Sequence, residues 1–242
     1  MFNTIDYMRG IVGSMTFNQA ISNINYDAVN KTTTFDTCKT YWVFPCYIIN
    51  IGGVDYEVVT SEVNMSITVK EEVPITETEY SIAAPKFFHG TPMQATIEMG
   101  AESDWLDKLP FVYIIEPMKE VRDLRPLRVL ERTSELEILF MLPAELEEPL
   151  DLQVETAIKP ADNMVWEFEN KVMRDPNIAD LEKAESRNRI NYGVWVLRKD
   201  KNKPSKPDNM RRLLPEAISG IDYAIKIPFK RSVCDINARC KN

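Results

Sequence analysis

The block of residues 37–82 constrains the fold of this chain more than any other feature, because β-branched and aromatic side chains dominate it. Part of the block alternates strictly between apolar and polar residues, the apolar ones being Val63, Met65, Ile67 and Val69. Such alternation is typical of a strand with one buried face. The pair Gly52–Gly53 between two apolar runs predicts a hairpin turn. We therefore expect a small antiparallel β unit, with Pro45 at an edge or a bulge.

Helices are predicted on both sides of this β unit. Residues 5–24 space their apolar side chains three and four positions apart, which indicates an amphipathic helix. Residues 91–94 carry a threonine cap, a proline at the first helical position and a glutamine three residues after the cap. That helix should run to about Asp107. The pair Lys159–Pro160 predicts the start of a later helix that continues to Met173.

Apolar runs later in the chain predict strands at residues 110–115, 135–141, 192–197 and 221–229. The charged stretch 119–128 predicts a solvated loop, and the polar stretch 175–188 a partly helical segment. Since no β-α-β-α repeat occurs, we predict an α+β fold, an antiparallel or mixed sheet with helices packed on one face. Residues 1–30 and 83–242 would form this domain, with residues 31–82 as an inserted antiparallel β subdomain.

The scarcity of histidine and glycine argues against an enzyme. His89 is the only histidine, so a site with several histidine ligands is excluded, and Ser-His or Cys-His catalysis would depend on this one residue. The chain has eight glycines, and no phosphate-binding, dinucleotide-binding, serine-hydrolase or zinc-protease motif occurs. We interpret His89 as satisfying local groups or lining a contact beside a helix start. We predict no catalytic residue, no cofactor and no bound metal.

The cysteines and the hydropathy pattern indicate a reducing, aqueous compartment. No CxxC pair occurs among Cys38, Cys46, Cys234 and Cys240. Because a chain of this size folds without disulfides, we expect reduced thiols. The longest apolar runs are much shorter than the ~20 residues that cross a bilayer, so no membrane span is expected.

Charge is distributed unevenly along the chain. The formal net charge is −8, whereas residues 131–155 carry a net −7 and residues 198–212 a net +5. Separate acidic and basic patches can meet between copies in a head-to-tail contact that closes into a ring. The candidate contact residues are Glu145, Glu147, Glu148 and Asp151 in the acidic segment, Arg198, Lys199, Lys201, Lys203, Lys206, Arg211 and Arg212 in the basic segment, and Arg122, Arg125 and Arg128 between two predicted strands.

Two other functions remain open at this point. The acidic residues between 145 and 151 suggest a divalent ion in a hydrolase or nuclease, although they lack the D-x-D-x-D-G spacing of a calcium loop. The basic residues of 198–212 suggest a DNA-binding adaptor, whose binding would depend strongly on salt.

The order of several sequence segments points to a known family. The first are the amphipathic N-terminal helix, the β insertion from Tyr41–Trp42 to Val58, and Phe87–Pro92, which leads into a helix. They are followed by the predicted strand Leu109–Glu116, by Ala157–Pro160 at the start of a later helix, and by the predicted strand Ser219–Ile227 near the C-terminus. This order resembles the small tail-terminator and neck-ring proteins that join head to tail in tailed bacteriophages, including ring proteins of crAss-like phages. The chain departs from compact terminators in its larger β insertion and in its long 198–212 connection.

The resemblance implies a structural virion protein without catalysis. It implies a homo-oligomeric ring, six-fold or twelve-fold, at the head-tail junction or in the tail around the DNA channel. Other neck, portal or tail proteins would be its partners, and DNA would pass without sequence-specific binding. The protein would be assembled in the host cytoplasm and remain in the virion, with no membrane contact.

Overall fold

The computed structural model describes residues 3–91, 109–116, 118–122, 132–144, 149–179, 181, 184–192, 194–195, 211–212 and 217–229. The chain enters through helix α1 (Thr4–Gly13), whose first turn is capped by the Asn3 side chain accepting from the Ile5 amide. A β unit follows, and then a second, mainly antiparallel sheet with the helices against it. The predicted α+β class is confirmed.

Residues 17–82 form seven antiparallel strands that close into a barrel. The strands are β1 (Phe17–Ala20), β2 (Ser22–Asp27), β3 (Thr32–Asp36), β4 (Ile48–Ile51), β5 (Val54–Glu62), β6 (Ser66–Lys70) and β7 (Glu79–Ile82). Their order in the sheet is β1-β7-β4-β5-β6-β3-β2. β1 and β2 are the first and the last strand in this order, and only Ile21 separates them in sequence. They are therefore two halves of one bent strand. That strand pairs with β7 through its first half and with β3 through its second half.

Side-chain and backbone contacts show how tightly the barrel closes. The Ile21 amide donates to the Thr78 carbonyl oxygen at 2.9 Å, and the Thr37 hydroxyl donates to the Ala20 carbonyl oxygen at 3.2 Å. Inside, the rings of Phe35 and Tyr80 lie 5.8 Å apart although β3 and β7 are not neighbours in the sheet. Burial is the main cause that raises the pKa of Tyr80.

The loop of residues 37–47 plugs one end of the barrel. Trp42 is completely buried there, and its indole nitrogen donates to the Ala83 carbonyl oxygen at 3.3 Å. The Tyr47 hydroxyl donates to the same oxygen, and burial raises the pKa of Tyr47 to about 12. Pro45 was predicted at an edge or a bulge of the β unit, which was wrong, because residues 37–47 form a loop whose aromatic side chains turn inward to fill the barrel end.

The second sheet is centred on two long strands. Its strands are β8 (Lys86–Gly90), β9 (Phe111–Ile115), β10 (Lys119–Arg122), β11 (Arg132–Ala144), β12 (Ala184–Tyr192) and β15 (Ala217–Phe229), and a separate short pair is β13 (Val194–Trp195) with β14 (Arg211–Arg212). The order is β12-β15-β11-β9-β8, with β10 also paired to β11. β8 and β9 run parallel, and the other pairs of this sheet are antiparallel.

The helices cover one face of the second sheet. α2 (Leu150–Gln153) continues through a π-helical turn (Val154–Ile158) into α3 (Lys159–Met173). Phe168 of α3 packs edge-on against Phe140 of β11 and Tyr223 of β15, with ring centroids 5.5 and 6.3 Å apart. α1 lies on the same face, since the hydroxyl oxygens of Thr4 and Ser134 are 3.1 Å apart.

Several predicted strands are confirmed. The Gly52–Gly53 turn joins β4 to β5, and both glycines have positive φ angles, 59° and 85°. The predicted strands at 110–115, 135–141 and 221–229 correspond to β9, β11 and β15. The helix predicted from Lys159 is confirmed as well, although the helical stretch begins earlier, at Leu150.

Other predictions were wrong, because pairing with distant strands overrode local patterns. The N-terminal helix ends at Gly13, and the rest of its predicted span forms β1 and β2, so the β unit begins at Phe17 and not at residue 31. The predicted loop at 119–128 begins as β10, and residues 184–188 of the predicted helical stretch are β12. Val63 and Met65 lie in a turn, and the strand begins at Ser66. The helix predicted over 91–107 lies outside the described residues apart from Thr91.

Gly220 should be intolerant of any side chain. A Cβ atom at this position would lie 1.9 Å from the Phe140 carbonyl oxygen of the neighbouring strand β11. We expect Gly220→Ala to lower the free energy of unfolding by about 2 kcal/mol or more, as steric overpacking does. Urea unfolding followed by circular dichroism measures this.

Gly10→Ala in α1 is the matched control. Its Cβ would meet nothing within 4 Å, so we expect a gain of about 0.5–1 kcal/mol from helix propensity. Equal, small effects of the two substitutions would contradict the close approach of β11 and β15.

Candidate interaction surfaces

Most of the residues predicted to make subunit contacts lie outside the described residues. These are Arg125, Arg128, Glu145, Glu147, Glu148, Arg198, Lys199, Lys201, Lys203 and Lys206. Arg122 ends β10, and Arg211 and Arg212 form β14. Asp151 is exposed in α2. Their role in subunit contacts stays a prediction.

The β13–β14 pair brings the two ends of the basic segment together. Val194 pairs with Arg212 and Trp195 with Arg211 in an antiparallel register. Residues 196–210, which the structure does not describe, therefore begin and end at one place in the fold. We use the name basic connection for residues 198–212.

Lys39 joins the plugged end of the barrel to helix α3. Its ammonium nitrogen lies 3.4 Å from the Glu167 carboxylate and 4.3 Å from the centre of the Trp166 ring. The Asn163 side chain donates to the Tyr41 carbonyl oxygen at 3.0 Å. Since the Glu167 side chain is almost buried, the lysine compensates a carboxylate that has lost most of its water. This cluster therefore attaches the barrel to α3.

Two clefts lie on either side of Glu167. The smaller, about 280 Å³, is lined by Lys39, Tyr41, Asn64, Asp162, Asn163, Trp166 and Glu167. The larger, about 520 Å³, is lined by Phe17, Glu167, Asn170, Lys171, Arg174, Asp175, Pro176 and Asn177. The Lys171 ammonium donates to the Ser14 carbonyl oxygen at 2.9 Å. Both lysines thus hold parts of the fold together: Lys39 joins the barrel to α3, and Lys171 joins α3 to the residue after α1.

His89 lies in β8, which is an edge strand of the second sheet. Its Nδ1 atom is 3.1 Å from the Glu116 carboxylate, and both side chains are more than one-third exposed. Glu116 follows β9, which runs parallel to β8, so the sheet itself places these two side chains together. The partner of His89 that the structure shows is therefore a side chain of the neighbouring strand end, and the interpretation that His89 satisfies local backbone groups or lines a contact stays a prediction.

The face of the second sheet opposite the described helices carries a ladder of charges. Glu135 of β11 lies directly between Lys119 of β10 and Lys226 of β15 in the register of the three strands. Its carboxylate oxygens are 3.1 Å from the Lys119 ammonium and 3.0 Å from the Lys226 ammonium. The hydrogen bond from Lys226, followed by that from Lys119, holds the pKa of Glu135 below its ordinary value.

The barrel end opposite the plug carries exposed apolar side chains that the sequence patterns did not predict. The connections of residues 28–31, 52–53 and 71–78 join strands at this end, and we call it the barrel tip. Val29 is 90% exposed and Ile75 84% exposed. The sequence contained one signal of this exposure. Val29, an apolar residue, lies between Asp27 and Asn30 in a sequence typical of a turn.

No family model, no curated protein and no solved structure matches this chain. Within the described ranges, no group of three or more histidine, cysteine, aspartate or glutamate side chains is placed to hold a metal ion. None of the helices in the described part of the chain is long and apolar enough to cross a membrane.

Removal of the Lys39 charge should destabilise the protein through Glu167. We expect Lys39→Met to lower the free energy of unfolding by roughly 1–2 kcal/mol, because a nearly buried carboxylate loses its counter-ion. Glu167→Gln in the Lys39→Met background should recover part of this loss, as a double-mutant cycle by urea unfolding would show. Additive effects of the two substitutions would mean that the pair is not coupled.

Glu135 should stabilise the folded protein at pH values above the ordinary glutamate pKa of about 4.3, and it should lose this effect in acid. The sign follows from the lowered pKa in the folded state: the folded chain resists protonation of this carboxylate, so stability falls as pH falls toward the folded-state pKa. The difference in stability between the wild type and Glu135→Gln should therefore shrink between about pH 6 and pH 3. Urea unfolding over this pH range measures it, with Glu137→Gln on the same strand face as the control for a lost charge.

Proposed function

We propose that this chain is a non-catalytic structural protein of a tailed-bacteriophage virion. It forms a homo-oligomeric ring, six-fold or twelve-fold, at the head-tail junction or in the tail, around the DNA channel. Portal, neck or tail proteins adjoin the ring above and below. DNA passes through without sequence-specific binding, and the assembled ring stays in the virion after assembly in the host cytoplasm.

The observation that carries the proposal is the exposure of large apolar side chains on separate parts of the surface. On the barrel tip they are Val29 and Ile75. On α3 they are Trp166 and Met173, which are 51% and 60% exposed and lie seven residues apart, two turns along one helix face. Val121, 47% exposed on the sheet face opposite the described helices, is a third site. A ring subunit in a stack needs contacts to two lateral neighbours and to the rings above and below, which suits several such surfaces.

The charge distribution supports the same proposal. The net −7 of residues 131–155 and the net +5 of the basic connection are unlike charges on one chain, so identical copies can attract one another head to tail. The formal net charge of −8 also suits a channel through which DNA must move without adhering. The order of predicted elements, which resembles that of phage tail-terminator and neck-ring proteins, supports a virion as the location of such a ring.

The purified chain should assemble into closed rings at high concentration or with its phage partners. Size-exclusion chromatography with light scattering should give a mass that is six or twelve times that of the 27.9 kDa chain, and negative-stain images should show rings. Because the contacts between copies are partly electrostatic, raising the salt from 0.05 to 0.5 M should favour subunits. A strict monomer under all of these conditions would refute the proposal.

The same preparation distinguishes the two alternative functions. A hydrolase or nuclease with a divalent ion should unfold at a higher temperature when magnesium, manganese or calcium is added. A DNA-binding adaptor should bind DNA with an affinity that falls steeply with salt. We expect neither result for a ring subunit.

A further inference from the structure

The topology of the barrel places its two ends in different surroundings. Its strands alternate in direction, so the connections β2–β3, β4–β5 and β6–β7 all lie at the barrel tip. The plug of residues 37–47 lies at the other end, where the chain also enters from α1 and leaves toward β8. That end contacts α3 through Lys39 and Tyr41. The barrel tip therefore points away from the second sheet of its own chain.

Hydrogen bonds hold the connections of the barrel tip together. The Glu71 amide donates to the Lys31 carbonyl oxygen at 2.9 Å, which joins the 71–78 connection to the 28–31 turn. The Tyr56 hydroxyl donates to the Glu72 carbonyl oxygen at 3.4 Å. The Asp27 carboxylate accepts from the backbone amides of Val29 and Asn30. The tip is thus a preformed surface, and binding to it costs little ordering.

The barrel tip combines apolar side chains with negative charge. Val29, Ile75 and Val54 are 90%, 84% and 53% exposed. The carboxylates of the three connections and their adjoining strand ends are Asp27, Asp55, Glu71, Glu72, Glu77 and Glu79, against the bases Lys31 and Lys70. Lys70 is already paired with Glu57, at 2.5 Å. Apolar groups rimmed by charge of one sign are typical of a docking surface for a partner of the opposite sign.

We propose that the barrel tip binds the basic connection of a neighbouring copy, an inference that rests on the proposed ring. The basic connection has seven arginines and lysines against two aspartates, so its charge is opposite to that of the tip. Since residues 196–210 begin and end at one place, the connection is anchored at both ends, which limits the entropy lost on docking.

A neighbouring copy is the better donor of the connection because of distance. The nine residues of β5 span roughly 30 Å at 3.3 Å per residue. The barrel contacts α3 of its own chain at the plugged end, through Lys39 and Tyr41, so the barrel tip lies about one strand length from that contact. A connection from the next subunit can approach the tip from outside the chain, and the contact repeats head to tail around the ring.

Charge reversal on each side tests the contact. The tip variant carries Glu71→Lys, Glu72→Lys and Glu77→Lys, and the connection variant carries Lys201→Glu, Lys203→Glu and Lys206→Glu. Each variant alone should need at least a tenfold higher concentration for half-assembly, measured by light scattering, because like charges then face one another. The control for the tip variant, Asp6→Lys with Glu62→Lys and Glu185→Lys, makes the same change in net charge on exposed sites outside the tip and outside residues 131–155, and it should assemble normally.

Mixing the two variants tests whether the contact is between copies. In an alternating ring, each reversed tip meets a reversed connection and each native tip meets a native connection. A one-to-one mixture should therefore restore assembly to within about threefold of the wild type. A contact within one chain would not be restored by mixing, and that result would overturn the inference.

The apolar part of the tip has its own test, and it leaves the charges unchanged. Val29→Ser with Ile75→Ser should weaken assembly at least threefold, while circular dichroism should show an unchanged fold, because both side chains are exposed. If the wild type assembles and all tip variants assemble equally well, only this inference fails and the ring stands. If the wild type itself does not assemble, the proposed function fails first.

Discussion

The bent strand at residues 17–27 is the constraint on which the rest of the structure depends. Its first half pairs with β7 and its second half with β3, so neither edge of the sheet is left unpaired along this strand. A closed barrel offers no free edge for pairing with other chains. The barrel therefore cannot bind other chains by strand pairing, and its most exposed apolar side chains, Val29 and Ile75, lie on its connections.

Closure also determines where the barrel meets the rest of the chain. Because entry from α1 and exit toward β8 lie at one end, the 37–47 loop is enclosed there, and Trp42 becomes completely buried. Lys39 and Asn163 then connect this end to α3. The apolar core continues without a break from the barrel to the second sheet, so the two parts support each other instead of behaving as an independent insertion.

The surface divides into regions with separate tasks in the proposed ring. In the charge ladder, Glu135 is paired with Lys119 and Lys226 of the two neighbouring strands. The barrel tip, in contrast, presents carboxylates beside exposed apolar side chains. Trp166 and Met173 on α3 offer another apolar contact. This division suits a subunit that must attract identical neighbours and still leave other faces for different proteins above and below.

The sequence by itself determined the fold class, the Gly52–Gly53 hairpin, the long strands β11 and β15, and helix α3, because their periodicity or turn chemistry is local. It also determined the uneven charge along the chain. Only the tertiary structure decided that residues 17–27 are a strand, since pairing with β3 and β7 outweighs their helical spacing. The barrel tip likewise depends on closure: its three connections are far apart in sequence, and only the alternating strands bring them to one end.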